Sequence, residues 1–201
     1  MASFPDTPAT MLAKIAAQRT MESEAAWTRL FGLYEPVIRR CAQALGAGGE
    51  AEDVAQEIFV KLVEILRNGR YSSEAGKFRS YLTTLIRHEL IGRWRKAKSR
   101  RSPSHVSVDD EELAPELPVS ENITVDIDEK WYRARHEAAV EHVLTKTFLS
   151  RQSKDVYRAY VLEERPVAEV AASFGLMRNA VYQIRTRVDK MVAALEAEMG
   201  D

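Results

Sequence analysis

The sequence predicts an all-α protein of two small helical domains joined by an acidic, flexible linker. Through most of the 201 residues, apolar side chains recur every three or four positions, which is the spacing of one helix face. No stretch of alternating β-branched residues competes with this pattern. Residues 99–129 differ, because Pro103, Pro115 and Pro118 accompany an excess of acids there. Prolines break helices and like charges resist collapse, so this stretch predicts the linker.

The half of the chain before the linker predicts one domain, residues 22–98. A cluster of glycines after residue 45 ends its first helix, because glycine adopts the left-handed conformation at which helices stop. Residues 1–21 form an N-terminal extension in which only Met11 to Arg19 fit a short helix. The predicted helices of the domain cover residues 22–44, 51–66 and 78–98, and a loop at 68–77 precedes the last of them.

The second predicted domain, residues 130–201, carries the most specific local pattern, that of a helix-turn-helix. Pro166 fits the first turn of a helix, Gly175 fits the turn that ends it, and Ala171 is small where the next helix must pass. The second helix of this motif enters the major groove of DNA, whereas a basic bundle helix without a DNA role is the alternative. The predicted helices cover residues 130–149, 154–162, 166–174 and 178–199.

The polar side of the helix at 178–199 lies opposite Val181, Ile184 and Val188. Amide side chains pair with base edges, while arginines bind phosphates. The side chains that we expect at DNA are Arg178, Asn179, Tyr182, Gln183, Arg185, Thr186 and Arg187.

The formal net charge of −1 conceals an abrupt change of sign. Residues 67–101 carry eleven Lys and Arg against two acids, a net of +9, whereas residues 102–129 carry nine acids and neither Lys nor Arg. Aromatic residues are interleaved with the basic ones. Cations neutralise phosphates and aromatic rings stack on unpaired bases, so the basic block predicts a nucleic-acid surface. A solvated helix face is the simpler alternative.

The helix predicted at 51–66 carries an acidic stripe opposite its apolar side. Its members are Asp53, Gln56, Glu57 and Glu64, with Val60 among them. Such a stripe repels DNA, so any binding function would be toward a protein. A solvated face is again the alternative.

Composition argues against several other classes of protein. Cys41 is the single cysteine, the four histidines lack the spacing of a zinc site, and no phosphate-binding glycine loop is present. We therefore expect no enzyme, no metal and no small-molecule cofactor. The chain has no run of eighteen apolar residues, and Pro5 and Pro8 lie where a signal peptide needs an apolar core. We expect a soluble, cytoplasmic protein without membrane insertion.

Three stretches, in this order, resemble the sigma-70 family of bacterial transcription initiation factors, in its extracytoplasmic-function (ECF) group. They are AEDVAQEIFVKLVEIL, YSSEAGKFRSYLTTLIRHELIGRWRK and RPVAEVAASFGLMRNAVYQIRTRV. The resemblance covers about residues 22–195 and implies a sigma-2 domain at 22–98 and a sigma-4 domain at 130–201. It implies a factor that directs core RNA polymerase to promoters and helps to melt them. The catalytic metal would belong to the polymerase.

The resemblance also implies a surface for each motif. Asp53, Gln56 and Glu57, with Val60 beside them, correspond to the surface that binds the clamp helices of the polymerase β′ subunit. The sigma-4 domain would contact the β flap, and residues 178–187 would recognise the minus-thirty-five element. The residues implied in minus-ten recognition and melting are Tyr71, Lys77, Phe78, Arg79, Tyr81, Arg87, His88, Arg93, Trp94, Arg95 and Lys96.

Three residues depart from the family pattern: Gly92 stands for a common Asp, Glu89 for an apolar residue and Pro166 for a capping Ser. An anti-sigma factor is a further partner that the family allows. Two other classes of function stay open. A stand-alone helix-turn-helix regulator would bind an operator without polymerase. A nucleic-acid-processing enzyme would need acids on a helix, whereas Asp109 to Glu112 lie in the Pro-bounded linker.

Overall fold

The computed structural model describes residues 8–16, 21–68, 70–71, 77–101 and 121–200. Within these ranges the regular structure is helical and no strand occurs, which confirms the all-α prediction. The chain divides into two compact units, an N-terminal unit to Ala134 and a C-terminal unit from Arg135 to Gly200. Most of the predicted linker, residues 102–120, and most of the loop at 68–77 lie outside the described residues.

Four helices and part of a fifth build the N-terminal unit. Their shared core contains Leu30, Ile38, Ile58, Leu62 and Leu82, all fully buried. The helices are α1 (Pro8–Ala16), α2 (Met21–Ala42), α3 (Ala51–Arg67), α4 (Phe78–Arg101) and the first half of α5 (Glu121–Lys146).

Helix α1 belongs to this core. The sequence predicted a short helix from Met11 to Arg19; the structure has a helix over Pro8–Ala16, and residues 17–19 lie outside the described residues. Met11 and Ile15 are buried where α1 packs against α2 and α3. Burying such side chains stabilises the fold by about 1.5 to 3 kcal/mol each.

Glycines reverse the chain between α2 and α3, as predicted. Gly46 and Gly48 have φ angles of +96° and +55°, a region that glycine tolerates better than other residues. The reversal sets Glu50 immediately before α3. It also leaves Gly46 beside the indole of Trp94, where an added Cβ would lie 3.7 Å from that ring.

Cys41, near the end of α2, is fully buried, as expected, and burial raises the pKa of its thiol to about 12.

Helix α5 corrects the predicted linker. The sequence analysis assigned residues 99–129 to the linker, but α4 continues to Arg101 and α5 begins at Glu121. The reason is burial: Ile127, Trp131 and Ala134 recur at helical spacing and are almost completely buried in the N-terminal unit. Apolar burial there outweighs the repulsion between neighbouring acids. The helix crosses from one unit into the other after Ala134.

The C-terminal unit consists of the end of α5 and three further helices. Gly175 ends α7 with a φ of +64°, which confirms the conformation predicted for it, and the Leu176 N–H donates to the Ala171 carbonyl over 2.8 Å. Pro166 precedes the first residue of α7 rather than occupying its first turn. Val170, Ala171 and Val181 join these helices in one buried cluster. The helices are α6 (Arg151–Tyr157, continued by a wide turn to Leu162), α7 (Val167–Phe174) and α8 (Arg178–Met199).

Candidate functional site

The acidic stripe lies on the solvent side of α3. Asp53, Gln56 and Glu57 are exposed, and the side chain of Val60 is 67% exposed. The opposite side of the helix is buried, so the predicted amphipathic arrangement is confirmed. Residues from α4 complete an open groove beside the stripe, which is lined by Glu50, Asp53, Gln56, Glu57, Val60, Glu89, Arg93 and Lys96.

A network of ion pairs joins α3 to α4 in this groove. The Arg93 guanidinium donates from Nε to Glu89 Oε1 (3.1 Å) and from Nη1 to Glu50 Oε2 (2.9 Å). Its Nη2 lies 2.9 Å from Glu57 Oε1. The Lys61 ammonium donates to the second oxygen of Glu89. We call these five side chains the Arg93 cluster, and they bring one predicted polymerase residue, Glu57, into contact with one predicted DNA residue, Arg93.

The Arg93 cluster explains the unusual acid at position 89. Burial by itself would raise the pKa of Glu89, whose side chain is only 9% exposed. Interaction with Glu57 and hydrogen bonds from Lys61 and Arg93 outweigh burial and lower that pKa to about 2. The pKa of Glu57 moves upward, chiefly because of its hydrogen bond with Glu89. Glu89 is therefore a paired anion inside the fold. The other departure, Gly92, has open space where a Cβ would point, so packing does not require glycine there.

The aromatic residues at the start of α4 form a group around Tyr71. The Tyr71 ring centroid lies 5.5 Å from Phe78 and 5.4 Å from Tyr81. Phe78 is buried and also packs edge-on against Tyr34, so its ring belongs to the core of the unit. Tyr71 and Tyr81 are half-buried, and burial raises the pKa of both phenols. Lys77, just before α4, is exposed.

Arg79 is covered by the first half of α5. Its Nη1 donates to Asp128 Oδ1 over 3.1 Å, and its guanidinium carbon lies 4.9 Å from the centre of the Tyr132 ring. The Arg79 side chain is 15% exposed as a result. Asp128 belongs to the stretch that was predicted as an acidic linker. One member of the acid-rich stretch therefore neutralises one member of the basic block.

The remaining residues predicted for minus-ten DNA lie further along α4. Arg87 is half-buried. Trp94 is 54% exposed, although one edge of its indole rests on Gly46. His88, Arg95 and Lys96 are exposed.

Helix α8 presents its predicted DNA-binding side chains to solvent. Arg178, Asn179, Tyr182, Gln183, Arg185, Thr186 and Arg187 are all exposed. Val181, Val188 and Val192 on the other side are buried.

Two of these exposed side chains also contact the helix turn after α6. The Tyr182 ring packs edge-on against Tyr160 at 5.9 Å, and Arg185 lies over the same ring. Arg185 Nε also donates to Asp189 Oδ2 over 3.3 Å. The other oxygen of Asp189 accepts a 2.9 Å bond from the buried Tyr157 hydroxyl. Asp189, itself held by Tyr157, thus orients the Arg185 side chain along α8.

Sequence reasoning missed the ion pairs that hold Arg79 and Arg93. Lys61 and Glu89 lie 28 residues apart, and Arg79 and Asp128 lie 49 apart, so no local pattern could pair them. The departure at Glu89 was the one available signal, because a buried acid requires a partner.

The described part of the chain contains no group of three His, Cys, Asp or Glu side chains that could hold a metal ion. Among the described helices, none has the length and apolar character needed to cross a membrane.

Comparison with known proteins identifies the N-terminal unit. Residues 30–100 match the family model of sigma-70 region 2. This segment runs from α2 through nearly all of α4, so it contains the acidic stripe, the Arg93 cluster and the aromatic group around Tyr71. The chain has no match among curated proteins and none among solved structures. Residues 30–100 are therefore similar to region 2 of sigma-70 factors, and this match supports a role of the chain as a sigma factor, in RNA polymerase binding and promoter recognition.

Proposed function

We propose that this chain is an ECF-group sigma factor that binds the polymerase clamp through α3, captures and melts the minus-ten element around α4, and recognises the minus-thirty-five element with α8. The observation that carries the proposal is the region 2 match over residues 30–100, which contain both an exposed acidic stripe and a basic, aromatic helix. An acidic protein-binding face and a cationic DNA-binding face are what a factor needs to bridge polymerase and promoter.

Docking would use the groove beside α3. Asp53 and Glu57 offer carboxylates to a basic partner helix, Gln56 offers an amide, and the exposed Val60 offers apolar contact. Complementary charge increases the association rate and fixes the register of an interface, while the apolar contact contributes affinity.

Promoter melting would be driven by contacts that only unpaired DNA can make. Extruding a base costs a few kcal/mol, and stacking on an aromatic side chain returns roughly 1 to 3 kcal/mol per base. Tyr71, Tyr81 and Trp94 are the partly exposed rings in this region. Chemistry on the nucleotides would remain with the polymerase, so the chain itself would act as a cytoplasmic binding factor and not as an enzyme.

Recognition of duplex DNA would use α8. Asn179 and Gln183 have the amide groups that pair bidentately with adenine in the major groove. Arg178 and Arg187 are exposed beside them and would bind phosphates. Asp189 and Tyr160 would hold Arg185 at the edge of this surface.

The decisive experiment adds the purified chain to core RNA polymerase on a pool of promoter fragments. We expect transcripts with discrete start sites that are absent with core enzyme alone. Asp53→Arg with Glu57→Arg should abolish core binding and these transcripts while helical content is unchanged. Glu24→Arg with Glu52→Arg is the control, since it makes the same charge change at exposed positions outside the groove.

Two results would count against the proposal. Unchanged co-purification of the double reversal with core enzyme would contradict docking through α3. Tight operator binding by the free chain, with no polymerase-dependent start site, would favour a stand-alone regulator.

A further inference from the structure

The guanidinium of Arg93 is fully engaged inside the N-terminal unit. Its three nitrogens lie 2.9 to 3.1 Å from carboxylate oxygens of Glu89, Glu50 and Glu57. The side chain is 20% exposed. An arginine binds a phosphate with the same planar fork of N–H donors. A phosphate that approached Arg93 would meet three carboxylates first, so this arrangement is unsuited to a DNA contact.

The carboxylates that Arg93 holds lie on the groove beside α3. Glu57 is a predicted polymerase contact, and Glu50 lines the same groove as Asp53 and Gln56. Glu57 and Glu89 both pair with the Arg93 guanidinium, and interaction with Glu89 raises the pKa of Glu57. Without a cation between them, three neighbouring carboxylates repel one another, and part of their charge is lost to protonation. The anionic character and the geometry of the groove therefore depend on Arg93.

We propose that Arg93 is a positioning residue of the polymerase-binding surface, which it serves by holding Glu57 and Glu50 in place from α4, and that it does not contact promoter DNA. Arg93 is in turn held by Glu89, which accepts hydrogen bonds from both Arg93 and Lys61. The helix expected to bind unpaired DNA thus also supports the docking face of its neighbour. This inference rests on the proposed docking through α3.

The test separates polymerase binding from DNA binding in Arg93→Gln. The affinity of the labelled full-length chain for core polymerase is measured first. The affinity of the formed holoenzyme for a minus-ten fork DNA is then measured at saturating core enzyme. We expect Arg93→Gln to weaken core binding about tenfold, equivalent to about 1.4 kcal/mol, and to leave the DNA affinity of the holoenzyme unchanged.

Arg95→Gln is the matched control, because Arg95 is exposed on the same helix two residues away. It should retain normal core affinity and weaken DNA binding, with a salt slope smaller by about 0.7 to 1 for the lost phosphate contact. In a Glu57→Gln background, Arg93→Gln should cost much less core affinity than in the parent, because its effect runs through Glu57.

If Arg93→Gln fails to fold, Arg93→Lys takes its place. It keeps the cation but has one nitrogen for three carboxylates, so a smaller loss of core affinity is expected with normal DNA affinity. Normal core affinity together with weakened DNA binding, in whichever variant folds, would overturn the inference. If Asp53→Arg with Glu57→Arg abolishes core binding but the Arg93 variants do not weaken it, docking through α3 stands and only the positioning role of Arg93 is contradicted. If the double reversal also binds core normally, docking through α3 fails.

Discussion

Helices α4 and α8 were both predicted to bind promoter DNA, but they hold their arginines differently. On α8 the predicted side chains are exposed, opposite the buried Val181 and Val188. On α4, Arg79 is held by Asp128 and Tyr132, and Arg93 is held by three carboxylates. A helix for duplex DNA can be presented ready-made, because base edges are already accessible in the major groove. On α4, by contrast, Arg79 and Arg93 are engaged within the protein, while Arg95 and Lys96 are exposed.

The two engaged arginines differ from each other as well. Arg79 is 15% exposed but its one carboxylate partner, Asp128, is 45% exposed, and a pair with a solvated partner contributes about 1 kcal/mol or less. That contact is easily exchanged for a phosphate. Arg93 has three partners, one of them buried, and losing such a group leaves an uncompensated charge. We therefore expect Arg79 to be released for DNA and Arg93 to stay in place.

The largest expected effect is on the free energy of unfolding, when the buried side chain that holds the first half of α5 in the N-terminal unit is removed. Trp131 is 1% exposed, so Trp131→Ala should lower the free energy of unfolding by about 3 to 5 kcal/mol. Trp94→Ala removes an indole that is more than half exposed and should cost about 1 kcal/mol or less. Urea denaturation followed by circular dichroism measures both. Equal losses would mean that the first half of α5 is not anchored as described.

The next effect tests whether α8 recognises sequence. Gln183→Ala should cost roughly 1 to 3 kcal/mol at particular upstream base pairs. Arg187 lies one turn after Gln183 on the same helix and would contact a phosphate. Arg187→Ala should therefore weaken binding equally for all sequences and reduce the salt slope by about 1. Holoenzyme binding to a set of single-base promoter variants distinguishes the two. A uniform loss in Gln183→Ala would assign it to the backbone instead of the bases.

A third effect tests the division between binding and melting. Tyr71→Ala should leave the closed complex intact and impair opening, since it removes roughly 1 to 3 kcal/mol of stacking per base. Permanganate footprinting of unpaired thymines measures opening, and filter binding at low temperature measures the closed complex. Normal thymine reactivity in this variant would remove Tyr71 from the melting surface.

The helical periodicity of the sequence was sufficient to predict the fold class, and the positive φ angles of Gly46 and Gly175 follow from chain reversals that the sequence marked. Exposure of Asp53 and Gln183 also follows from periodicity. The beginning of α5 did not follow, because nine acids suggested a linker while burial of Ile127 and Trp131 decided the outcome. Only the Arg93–Glu89 pair, four residues apart on α4, has a local spacing; the pairs of Arg93 with Glu50 and Glu57 and of Arg79 with Asp128 require the tertiary arrangement and could not be predicted.

The comparison between α4 and α8 depends most directly on the contact between Arg79 and Asp128. The measurement is a titration of fluorescent single-stranded minus-ten DNA with the free chain, across a range of salt concentrations. The test variant is Asp128→Asn and its control is Glu129→Gln. The control removes the same charge at the next residue, whose exposed side chain pairs with Arg133 and not with Arg79. Asp128→Asn should raise the affinity up to about fivefold, as expected for release of a pair worth at most about 1 kcal/mol. The gain should shrink as salt screens the charges. Titration curves of Asp128→Asn and Glu129→Gln that coincide at every salt concentration would contradict the claim that Arg79 is withheld from DNA.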